Sequence, residues 1–107
     1  MARHLSVAAL TVLHAVAAGT GHGFDIIDAT GLPGGTVYPA LSRLERDGLV
    51  ASSWEDVAVA RREGRPSRRY YQATRPGVRT LNESLEKLHA LKPVKAARLP
   101  RALRHKG

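Results

Sequence analysis

Residues 5–17 constrain this chain more than any other stretch. Leu5, Val7, Ala8, Ala9, Leu10, Val12, Leu13, Ala15, Val16 and Ala17 place apolar groups on nearly every face of a helix. A helix that is apolar all round must be covered on two sides. A chain of 107 residues has little spare mass for that and holds one small core. A second subunit is the economical cover, so a dimer is expected. The uncharged run continues to Phe24, but His14, His22 and five glycines and threonines break it. It is therefore not read as a membrane span. It also lacks the basic start and cleavage site of a signal peptide.

Charge is the second constraint. The chain carries a formal +8, and the excess is clustered. Lys92, Lys95, Arg98, Arg101, Arg104 and Lys106 give residues 92–107 a local +6. Arg61, Arg62, Arg65, Arg68 and Arg69 against Glu63 give residues 61–69 a local +4, leaving the rest near −2. Two basic clusters on a slightly acidic body favour a polyanionic partner. With no cysteine, disulfides, thiolate metal sites and cysteine nucleophiles are excluded. The expected location is cytoplasmic, with no membrane association. Residues 1–91 are expected to form the domain and residues 92–107 a flexible basic tail.

Along the chain, Gly19-Thr20-Gly21 ends the first helix. A second helix is predicted over 23–30 and a third over 35–47, separated by the turn Leu32-Pro33-Gly34-Gly35. Residues 49–54 read as a strand and residues 55–67 as a charged loop. Residues 68–74 read as a returning strand, making a hairpin with a long basic tip. Pro76 suits a helix start, and a last helix is predicted over 76–91. Its Val78, Leu81, Leu85 and Leu88 follow a 3-4-3 spacing, the pattern of a coiled-coil seam. That seam is read as part of a dimer surface, the alternative being a helix packed on its own domain.

The third helix divides by angle. At about 100° per residue from Thr36, the apolar Ala40, Leu44, Val37 and Leu41 fall between about 40° and 140°. The opposite arc holds Tyr38, Ser42, Arg46, Pro39, Arg43 and Thr36, with Glu45 as the only acid on its border. Arginine can pair bidentately with guanine, hydroxyls can donate or accept, and tyrosine can reach a phosphate. The arc alone also fits a solvated face with ordinary ion pairs. The turn before the helix and the basic hairpin after it favour DNA.

The same residues carry a resemblance. His22-Gly23-Phe24-Asp25-Ile26, Gly35-Thr36-Val37-Tyr38-Pro39-Ala40-Leu41, Arg43-Leu44-Glu45, Gly48-Leu49-Val50 and Trp54 stand in the order of the PadR family of bacterial transcriptional regulators. Gly64-Arg65-Pro66, Arg69-Tyr70-Tyr71, Thr74 and Gly77 continue the match. The resemblance implies a mainly α fold with a small β-hairpin: a winged helix-turn-helix with three N-terminal helices, a two-stranded wing and a C-terminal dimerisation helix. It implies dimerisation through the first and last helices and binding to an operator, usually as a repressor.

Carried onto this chain, Thr36, Tyr38, Pro39, Ser42 and Arg43 lie on the recognition helix, and the angular reading adds Arg46. Arg62, Arg65 and Arg68 fall in the wing, where Arg61 and Ser67 adjoin them. His22 falls near the DNA backbone. Leu5, Leu10 and Leu13 of the first helix and Val78, Leu81, Leu85 and Leu88 of the last form the expected dimer interface. The chain departs from the family at Gly34, where many relatives have a small polar cap residue. The last helix also lacks the aromatic residues between which some relatives bind flat drugs. Trp54 is read as a core or wing anchor.

The expected partners are double-stranded DNA bearing a near-palindromic operator, a second copy of the chain and an unidentified small-molecule effector. No cofactor is expected. A rival reading is a non-specific nucleic-acid-binding or nucleoid-associated protein driven by charge. An enzyme or metal protein is disfavoured, because His4, His14, His22, His89 and His105 show no close ligand spacing. A sensor with His14 or His89 at the dimer seam is a further class.

Overall fold

The computed structural model describes residues 5–91, so the basic tail, His4 and His105 lie outside the described residues. Helix α1 (Val7–Ala17) opens where Ser6 accepts a hydrogen bond from the Ala9 N–H, at 3.1 Å, satisfying one of the unpaired first-turn donors. Helix α2 (Gly23–Thr30) and helix α3 (Gly34–Arg46) follow, α2 being closed by Gly31 in the left-handed conformation. Pro39 sits in the second turn of α3, near the end where its missing N–H costs least.

Strands β1 (Val50–Trp54) and β2 (Arg69–Ala73) pair antiparallel, from Val50 opposite Ala73 to Trp54 opposite Arg69. The far edge of β2 is occupied too. His22 bridges to Tyr70, and the Tyr71 N–H donates to the Gly21 carbonyl at 2.7 Å. That pairing ties the N-terminus of α2 to the wing and blunts an otherwise open edge.

The expected loop between the strands contains a helix, α4 (Val57–Arg62). Asp56 caps it by accepting from the Ala58 N–H at 2.9 Å, and Ala60 is buried beneath it. Helix α5 (Arg75–His89) starts on Thr74, whose hydroxyl accepts from the Gly77 N–H at 3.1 Å and donates to the Gly48 carbonyl at 2.6 Å. The assembly is a winged helix-turn-helix with a two-stranded wing. No helix among the described residues is long and apolar enough to cross a membrane.

The core joins Val12, Leu13 and Val16 of α1, Ile26 of α2, Val37, Leu41 and Leu44 of α3, Leu49 just before β1, Val50 of β1, and Leu81 of α5. This corrects the reading of α1. It packs on α2, α3, β2 and α5, so its own domain covers most of it. Leu13 is 0 % exposed and Leu81 5 % exposed, so neither has surface left for a second subunit. Of the large apolar residues of this segment, Val7 remains outside and Leu5 and Leu10 are half-covered, facing Leu85 and Leu88 of α5 across an open groove of about 550 Å³.

Candidate nucleic-acid interface

Burial divides α3 along the line that its sequence angles draw. Val37, Leu41 and Leu44 are fully buried, while Tyr38, Pro39, Ser42, Arg43 and Arg46 are exposed and Thr36 is half-buried. The polar groups on that arc are therefore displayed together along one side of a helix anchored by its other side. At its N-terminal end the Tyr38 ring lies against α2. A Cβ on Gly23 would come 2.5 Å from the Tyr38 hydroxyl, so only glycine allows the ring this position.

The wing stands beside this face, and Glu55 organises its tip. Arg65 grips both Glu55 oxygens at 2.6 and 2.8 Å and also reaches Glu63 at 2.8 Å. The Arg68 N–H donates to Glu55 at 3.3 Å, the Tyr70 hydroxyl at 3.4 Å, and the Ser67 hydroxyl donates to the Glu55 carbonyl at 2.8 Å. Arg65 is thus an internal strut, 19 % exposed, and Ser67 is committed beside it. Their expected place among phosphate-seeking groups is corrected: both hold the wing in shape. Arg61 and Arg62 project from the last turn of α4, and the Arg68 side chain makes no ion pair with the described residues.

Arg65 beside Glu55 holds that carboxyl down, at a pKa of about 2 against an ordinary 4.5. A depressed carboxylate stabilises the fold above its unfolded pKa, and loses that contribution as pH falls through the folded one. Wing-tip order should therefore be complete at neutral pH and decline between about pH 4.5 and pH 2. Following the Arg68 amide by NMR during acid titration checks this. Glu55→Gln should abolish the transition, and a transition centred near pH 6 would contradict the assignment.

Between α2, α3 and the wing lies a groove of about 430 Å³, lined by His22, Phe24, Tyr38, Trp54, Arg68 and Tyr71 among others. Trp54 is 67 % exposed, so it is neither core nor buried anchor, and Phe24 is 70 % exposed. The Arg69 guanidinium lies over the Trp54 ring at 5.6 Å and near the Tyr71 ring at 5.9 Å. Sequence alone does not mark Phe24, Trp54 or Arg69 as DNA-contacting, although Arg69 belongs to the basic cluster of residues 61–69. The period-2 alternation of β1, putting Val50, Ser52 and Trp54 on one face, was the signal available for Trp54. His22 is placed at this groove, but its imidazole is only 12 % exposed, meets Asp25 at 2.9 Å and packs edge-on against Tyr70.

Among the described residues, no group of three or more histidine or acidic side chains is arranged to hold a metal ion. The site offers hydrogen bonding, aromatic surface and cationic groups.

The fold matches solved structures. A PadR-like transcription factor from "bacteroid fragilis" is 26 % identical with a TM-score of 0.63, over 76 % of this chain and 82 % of its own. A PadR-family regulator from Eggerthella lenta DSM 2243 is 27 % identical with a TM-score of 0.64, over 76 % and 70 % of the two chains. A PadR-family regulator from Clostridium difficile R20291, 20 % identical, shares the fold with a TM-score of 0.69 over 78 % and 88 %. A search of curated proteins returns no significant match. The model of the transcriptional regulator PadR-like family matches residues 12–83, from within α1 to within α5 and across the whole of the exposed helix face and wing. The chain belongs to the PadR-like family of transcriptional regulators.

Proposed function

We propose that this chain is a homodimeric, sequence-specific DNA-binding repressor. The observation that carries the reading is the exposed arc of α3, continuous with a cationic, aromatic groove and a wing bearing arginines. Thr36, Tyr38, Pro39, Ser42, Arg43 and Arg46 meet the major groove, with Arg43 the leading candidate for a base edge. Arg61, Arg62 and Arg68 reach flanking phosphates, and the N-terminus of α2 at His22 approaches the backbone.

Two protomers join through Leu5, just ahead of α1, Leu10 of α1 and Val78, Leu85 and Leu88 of α5. The dimer sets its recognition helices about 34–36 Å apart, facing successive major grooves of a near-palindromic operator. Such a protein works in the bacterial cytoplasm, on the nucleoid.

Arg43→Ala should cost roughly 1–3 kcal/mol at one operator position and relax base preference there. Deleting residues 92–107 should instead weaken all duplexes alike and flatten the dependence of affinity on salt. Binding titrations on operator and scrambled duplexes at several salt concentrations separate the two. An identical, uniform loss from both changes would overturn the division between reading helix and tail.

A further inference from the structure

Glu45 is out of place. It lies in the last turn of α3, where the negative end of the helix dipole disfavours a carboxylate, and on the edge of a face built to meet phosphates. The structure shows what it holds. The Ser52 hydroxyl donates to Glu45 Oε2 at 2.7 Å and accepts from Arg69 Nε at 2.9 Å. Arg69 Nη2 reaches both Glu45 oxygens, at 3.3 and 3.4 Å. The same guanidinium lies over Trp54 of β1 and near Tyr71 of β2. One residue of the recognition helix is thereby fastened to both strands of the wing.

Folding stability does not explain this arrangement. Arg69 and Glu45 are 43 % and 35 % exposed, and ion pairs so open to solvent contribute little to stability. Orientation does explain it. β1 leaves α3 through the short link Asp47-Gly48-Leu49. Backbone bonds hold the base of the hairpin and its α2 edge, and the Glu45 network adds the side-chain attachment between α3 and the two strands. We infer that Glu45, Ser52 and Arg69 form a latch that fixes the wing against the recognition helix, making Glu45 and Arg69 positioning residues for DNA binding. The inference rests on the DNA-reading function proposed above. A wing at the wrong angle cannot meet its phosphates while α3 sits in the major groove.

Charge alone predicts the opposite effect of removing the acid. Without a latch, Glu45→Ala deletes a negative charge beside DNA and should tighten binding. With it, Glu45→Ala should weaken binding to a duplex selected from a random library by roughly tenfold, the range of coupling between groups in one network. The salt dependence should become shallower, since a misplaced wing loses phosphate contacts. Alanine is a strong helix former, so the variant should fold. Glu45→Gln keeps an acceptor for Ser52 and should recover part of the affinity. Glu45→Ala combined with Arg69→Ala should bind no worse than Arg69→Ala alone.

The free protein supplies a readout that needs no DNA. Residual dipolar couplings of β1 and β2 against α3 should show the hairpin reoriented in Glu45→Ala. Unchanged orientation, or unchanged or tighter binding, overturns the latch. A reoriented hairpin in a protein whose wild type selects no duplex keeps the latch and removes the DNA-reading function.

Discussion

Replacing Gly77 by Ala is expected to destabilise the domain by about 3 kcal/mol, at the upper end of what overpacking usually costs. The reason is a contact that leaves no room. A Cβ at this position would lie 1.9 Å from the Leu49 carbonyl oxygen and 2.9 Å from its carbon. Both are backbone atoms, and the oxygen already accepts from the Thr74 N–H at 3.0 Å. Neither can move without disturbing the junction of β1, β2 and α5. For a domain of this size the loss corresponds to a melting temperature lower by roughly 12–24 °C. Gly35→Ala is the matched control. Its Cβ would meet nothing within 4 Å, and in a helix the change should be neutral or stabilising by roughly 0.5–1 kcal/mol. Thermal melts of the two variants make the comparison. Equal melting temperatures would mean that α5 is not seated on Leu49 as described.

The second large effect concerns assembly. Leu85 and Leu88 stay exposed on α5 and line the groove against Leu5, Val7 and Leu10. Leu85→Glu together with Leu88→Glu should place charges in the proposed seam and yield a folded monomer. A monomer loses the gain from holding two half-sites at once, so operator affinity should fall by roughly 10²–10⁴. Leu13→Ala should behave differently. Its side chain is fully buried within the protomer, so the change should cost about 2–5 kcal/mol of stability and leave the dimer intact wherever the fold survives. Sedimentation and duplex titration distinguish these outcomes. A double glutamate variant that remains dimeric would place the interface elsewhere.

The contrast between Leu13 and Leu88 shows where residue patterns are informative. The buried side of α3 was legible because Val37, Leu41 and Leu44 repeat with the helical period around a short, strongly two-sided segment. The same logic failed on α1, because a helix apolar on every side has no preferred face. Which leucine meets the core and which meets a partner depends on neighbours that periodicity does not contain. Leu81 was misplaced for a related reason. Its 3-4-3 spacing with Val78, Leu85 and Leu88 describes one stripe, but the stripe crosses from the core near Leu49 to the open groove.

The wing was misread in its details for an electrostatic reason. Counting charges over residues 61–69 treats every arginine as available, yet Arg65 is consumed by Glu55, ten residues earlier. Helix α4 is masked in the sequence by flanking charges that read as a loop, although Asp56 before Val57-Ala58-Val59-Ala60 is a sound cap and start. Trp54 and Arg69 entered the site only when strand pairing set them opposite each other.

The central claim is that the exposed face of α3 reads sequence, and duplex selection tests it most directly. Purified protein should be offered a library of random double-stranded DNA, and the retained fraction sequenced over successive rounds. Enrichment of a near-palindrome with half-sites about one helical turn apart, degraded at one position in each half by Arg43→Ala, is the predicted result. Retention of all duplexes with equal affinity would contradict it and leave a protein that binds DNA by charge alone.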